Sequence, residues 1–171
     1  MDSPLVSFSD SIGAGLQLGN FVPQNVSGNG LLVHSDDPSA LLMNFTQLNG
    51  SLSLVFGNDD PFIVGSNNST GSIAQLTLFN GATQVGQVSV VMNGNDIADQ
   101  TISYTGTAFN NASFVYANAA GIPISLIELV DDINFERANP TNPVPAPAGL
   151  VLGFIGMGFA GLTRRLWTKK A

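Results

Sequence analysis

The sequence predicts an all-β fold, an antiparallel β-sandwich, followed by a proline-rich linker and a short C-terminal hydrophobic helix. Three observations predict it. Apolar and polar residues alternate with period two through the middle of the chain, and turn signals recur between the runs. Composition agrees: only 10% of the 171 residues are charged, 44% are hydrophobic and 19 are glycine. So little charge is wrong for a coiled coil or helical bundle, and the chain is too apolar for simple disorder. The length supports one domain with its own core.

The elements follow in order. Strands are expected over residues 5–9, 30–35, 40–46, 51–57, 72–80, 84–93, 100–106, 112–117 and 125–136. Leu52, Leu54 and Phe56 alternate with Ser51, Ser53 and Val55. Ala74, Leu76 and Leu78 alternate with Gln75, Thr77 and Phe79, and Val88, Val90 and Met92 with Gln87, Ser89 and Val91. Turns are expected at Asn49-Gly50, from Gly57 to Pro61, at Asn80-Gly81 and from Asn93 to Asp96. No long amphipathic helix precedes the tail, and no tandem repeat is apparent.

Charge divides the chain in two. All twelve acids lie at or before Glu136 and no Lys or Arg precedes Arg137, so residues 1–136 carry −12. Nucleic acid is excluded as a partner, because nothing in the body would neutralise phosphates. The absence of Cys excludes disulfides, thiolate metal sites and thiol catalysis. The acidic body serves either solubility or cation binding, calcium first, at Asp36-Asp37, Asp59-Asp60, Asp131-Asp132 or the Asp96/Asp99 turn. The same pairs also suit strand ends and turns. His34 is the only His and no Gly-x-Ser-x-Gly elbow is present, so a non-enzyme is expected. For glycan binding the aromatic candidates are Phe62, Tyr104 and Tyr116, the two tyrosines also reading as core.

The tail carries the strongest motif. Four prolines between Pro140 and Pro147 make a stiff extended linker. An uncharged run from Ala148 to Leu162 follows, then Arg164, Arg165, Trp167, Lys169 and Lys170. As a helix the run would rise about 22 Å, short of a hydrocarbon core of roughly 30 Å. Together, Val144-Pro145-Ala146-Pro147, the short Gly-rich apolar helix and terminal arginines resemble the PEP-CTERM sorting signal of Gram-negative bacteria. Ala146 stands where that family usually has Glu. The resemblance covers residues 142–165, with Val144, Pro145, Ala146, Pro147, Arg164 and Arg165 as the sorting residues. It implies export, transient residence of a precursor in the inner membrane, recognition by an exosortase and cleavage near the prolines. Delivery to the cell surface or an exopolysaccharide matrix would follow. Met1-Asp2-Ser3-Pro4 has neither a basic nor an apolar leader, so a truncated start is expected.

The body, by the order of its pieces, resembles the jelly-roll domains found ahead of such signals, which look like galactose-binding-like modules. That resemblance, over about residues 30–136, implies a jelly-roll-like fold, and the chain divides into a sandwich over residues 1–138, a linker over 139–147 and the sorting helix over 148–171. It also implies structural calcium near the last strand, at Asp131 and Asp132. The expected role is a non-catalytic structural or adhesive surface protein, with a glycan-binding module as the alternative and an exported hydrolase behind both.

Overall fold

The computed structural model describes residues 5–13, 15–21, 26, 28–33, 37–58, 71–93 and 97–139. Val144, Pro145, Ala146, Pro147, Arg164 and Arg165 lie outside the described residues, with the rest of the linker beyond Asn139 and the apolar run. So do His34, Asp36, Asp59, Asp60, Phe62 and Asp96. The chain divides into two compact units, Met1–Ala138 and Asn139–Ala171, and the first contains the fold.

It is an antiparallel jelly-roll-like β-sandwich with eight strands among the described residues: β1 (Val6–Asp10), β2 (Leu16–Gly19), β3 (Gly30–Val33), β4 (Leu41–Asn58), β5 (Ile73–Asn80), β6 (Thr83–Val91), β7 (Gln100–Ala117) and β8 (Glu128–Arg137). Hydrogen bonding runs in the order β2-β3-β8-β4-β7-β5-β6, with β1 also on β4. Among the described residues no helix is long and apolar enough to cross a membrane.

The two layers are made by two long strands that bend. β4 and β7 have 18 residues each, and their register shifts between Asn44 and Ser51. Before the shift, β4 lies between β1 and the end of β7; after it, between β8 and the start of β7. β5 and β6 extend the first layer, β3 and β2 the second. Burial records the bend. Leu41, Met43 and Phe45 face the core first, then Leu52, Leu54 and Phe56, so the inward parity changes from odd to even. The core between the layers is rich in rings: Phe114 meets Tyr116 edge-on at 5.5 Å and Phe56 at 5.7 Å.

Two expected strand pairs therefore become single strands. Residues 40–46 and 51–57 are both β4, and 100–106 and 112–117 are both β7. Asn49-Gly50 is not a turn. Asn49 is fully buried at the bulge, its Nδ2 donating to the Gln47 carbonyl at 3.1 Å. Asn-Gly suits a bulge as well as a hairpin, because in both the Asn side chain bonds to backbone close by in sequence. β2 escaped the sequence reading because it is four residues long between glycines; Gly13 and Gly15, with φ of +86° and +104°, take a conformation only glycine adopts readily.

A second, smaller core covers part of the outer face of the second layer. Val26, Leu32, Ala98 and Leu129 are buried together there, with Phe21, Val55 and Ile127 against them. Gly57 permits it: a Cβ there would stand 2.5 Å from the backbone of Ile97 and Ala98.

Candidate functional site

Where the second layer is not covered, register assembles a polar face. Ser51 lies between Thr105 on β7 and Glu136 on β8, and Ser53 lies between Ser103 and Asn134. Alternation turns these six to the side opposite Leu52, Tyr104 and Phe135, which pack on the main core. Ser103, Thr105, Asn134 and Glu136 are exposed, and Ser51 and Ser53 half-buried. The residues line a hollow of about 510 Å³. Among the described residues, the hydroxyls of Ser51, Ser53, Ser103 and Thr105 and the carboxylate of Glu136 make no side-chain hydrogen bond within the fold. Members of a row stand about 4.8 Å apart and the two rows about 6.8 Å apart, the scale of one sugar ring. The face offers hydroxyl donors and acceptors, an amide and one carboxylate, and no cation. It has no nucleophile–base pair, so its chemistry is hydrogen bonding.

Of the aromatic candidates, Phe62 lies outside the described residues, and neither tyrosine presents an exposed ring to this face. Tyr116 is fully buried, its hydroxyl donating to the Gly57 carbonyl, and its pKa is raised well above the ordinary value by burial and then by Glu128. Tyr104 is half-buried between Gly86 and Gly106, where a Cβ would stand 2.3 Å and 2.8 Å from its side chain. Its hydroxyl donates to the carbonyls of Val85 and Thr107 at 3.4 and 3.2 Å.

Asp131 and Asp132 sit at a bulge in β8. Pairing jumps from Ser53↔Asn134 to Val55↔Asp131, so Leu54 opposes two residues. Asp132 takes a positive φ of 47°, which Asp tolerates better than most residues. Its backbone N–H donates to Asp131 Oδ1 at 2.8 Å, and its carbonyl accepts from Asn134 Nδ2 at 2.7 Å. The pair thus shapes the backbone locally. Asp37 and Asp10 do likewise, accepting the N–H groups of Ser39, and of Ile12 and Gly15. Among the described residues no three His, Cys, Asp or Glu side chains come together to hold a metal ion.

Sequence reasoning missed the polar face. The alternation Ser51-Leu52-Ser53 was legible, but the partners Ser103, Thr105, Asn134 and Glu136 depend on register across about fifty to eighty-five positions. It also missed Glu128, an acid sealed beside Tyr116, whose N–H donates to Glu128 Oε1 at 3.2 Å.

No protein-family model matches the chain, and no curated protein matches it. Solved structures similar to it are carbohydrate-binding modules. A Streptococcus pneumoniae fucose-binding module has 10% identity and a TM-score of 0.41, over 64% of this chain and 70% of that one. CsCBM6-3 from Clostridium stercorarium, in complex with cellobiose, has 12% identity and a TM-score of 0.42, over 77% and 94%. The family 11 module of the cellulosomal cellulase Lic26A-Cel5E of Clostridium thermocellum has 15% identity and a TM-score of 0.41, over 83% and 93%.

Proposed function

We propose that this domain is a non-catalytic glycan-binding module and that the polar face of β8, β4 and β7 is its binding surface. The observation that carries the reading is the pair of rows Glu136–Ser51–Thr105 and Asn134–Ser53–Ser103, with hydroxyls uncommitted within the described fold above a hollow of about 510 Å³. Hydroxyl-rich ligands are matched by such groups, each of which exchanges water for a sugar hydroxyl at little net cost. The charge selects among glycans. A body of −12 repels uronic-acid and sulfated chains, so the ligand is neutral or carries an amino sugar that Glu136 can meet. With no exposed ring for stacking among the described residues, affinity is low per site and rises on polymeric ligands.

A glycan array tests the reading, followed by titration of its best neutral ligand against Ser53→Ala with Asn134→Ala. Binding that the double substitution abolishes supports the face. Binding that it leaves unchanged, or an array whose only ligands are acidic, overturns it.

The tail adds a second part to the proposal. Val144-Pro145-Ala146-Pro147 and Arg164-Arg165 support an exosortase sorting signal that delivers the module to the cell surface or matrix. Mass spectrometry of surface-associated protein decides it: the expected form ends near Pro147, and recovery there of a peptide containing Trp167 would sink the idea.

A further inference from the structure

The sandwich has two seams, and the molecule treats them differently. At one, β6 faces the start of β7, and side chains close it. Gln100 Nε2 donates to the Val91 carbonyl at 2.9 Å and Gln100 Oε1 accepts the Asn93 N–H at 2.8 Å. Tyr104 reaches the Val85 carbonyl from the same strand. At the other seam, β1 pairs only with β4 and β2 only with β3 among the described residues. Between those two strands lies a groove of about 560 Å³. Val6 and Phe8 line it from β1, Leu16 and Leu18 from β2, and Leu31 and Val130 from deeper in the sheet. Leu18 is 72% exposed, an unusual cost for a leucine in a strand. Asp131 and Asp132 line the same groove.

We propose that this groove takes an extended peptide strand of another protein, with apolar side chains at alternate positions and Lys or Arg beside Asp131 and Asp132. A strand edge presents backbone N–H and C=O groups in alternation, and a peptide backbone answers that pattern where a sugar or an acyl chain does not. Apolar walls on both rims match a strand with one apolar face. Charge fixes the rest. The groove is flanked by acids in a body with no basic residue before Arg137, so an acidic strand, including one from a second copy of this body, is repelled. The groove is separate from the polar face, and its occupation does not depend on glycan binding.

The test uses the full chain and two synthetic probes, Lys-Val-Lys-Val-Lys-Val and its counterpart with Glu for every Lys, read by calorimetry and by hydrogen exchange of β1 and β2. The basic peptide is expected to bind at least about tenfold tighter than the acidic one, to slow exchange in β1 or β2, and to weaken with Leu18→Ser and with Asp132→Asn. Both variants keep the fold, because Leu18 is exposed and Asn tolerates the positive φ at 132. Equal binding of the two peptides, binding untouched by Leu18→Ser, or protection of these strands by a neutral oligosaccharide instead would each overturn the proposal. So would no binding of either peptide at millimolar concentration.

Discussion

Glu128 is the one charged side chain that is fully buried among the described residues. Its Oε1 accepts the Tyr116 N–H, while its Oε2 has no hydrogen-bond partner. Burial pushes its pKa from the ordinary 4.5 up to about 9, and the charges of Asp37 and Asp10 push the same way. The carboxyl is therefore protonated at neutral pH in the folded protein and ionised in the unfolded one. Between about 4.5 and 9 the native state binds the extra proton, so stability is full below that window and is lost as pH rises through it. Each pH unit there costs up to about 1.4 kcal/mol. Glu128→Gln is expected to lose this slope while retaining an acceptor for Tyr116. Denaturant melts at pH 5, 7 and 9 check it, and an unchanged slope in the variant would refute the assignment. Nothing local in the sequence marks this residue. An acid at the start of an expected strand reads as exposed, and only the pairing of β8 turns it to the face of Val130.

Among the strands, β4 is where two cores depend on one residue. Gly57 lies where the Ile97–Ala98 backbone crosses, and a Cβ at 2.5 Å would have to move main chain. Gly50, also in β4, would place its Cβ 3.4 Å from Ala138, an ordinary contact. Gly57→Ala is thus expected to destabilise by about 2–3 kcal/mol and Gly50→Ala by less than about 1. Equal thermal shifts for the two would show that the 97–98 segment is free to yield. Much of the element pattern was legible in the sequence. Period two located the second half of β4, β5 and β6 within a few residues, and Asn80-Gly81 marked the hairpin between β5 and β6, where Gly81 has φ of +59°. What failed was the distinction between a bulge and a turn at Asn49-Gly50. Both interrupt alternation by a residue or two, and the distance over which the chain then re-pairs is invisible locally. The polar face was half legible for the same reason: Ser51 and Ser53 showed their side, and their neighbours on β7 and β8 did not.

At the scale of the molecule, an acidic body with no bases before Arg137 repels itself. Sodium chloride from about 0.01 M to about 0.5 M is expected to raise its melting temperature, because the Debye length shrinks from roughly 30 Å to a few ångström. Screening alone would make calcium and magnesium act alike at matched ionic strength. A calcium excess that Asp132→Asn abolishes would instead mark a bound ion there. The bent strands carry a last consequence, for the order in which the fold is made. β4 belongs to both layers, yet Leu41 waits for Phe114 and Asn49 for Arg137. Such distant pairings pay their loop-closure entropy before any contact repays it, so refolding belongs on the millisecond-to-second scale. On the ribosome, at about 5–20 residues per second, β4 emerges seconds before β7 and β8. The pairs β1–β4, β2–β3, β4–β7 and β5–β6 can form earlier, but the second layer, in which β8 joins β3 to β4, cannot close until β8 is out. A nascent chain stalled just before Glu128 should therefore be cut by protease within residues 30–33 and 51–58 far faster than the released chain.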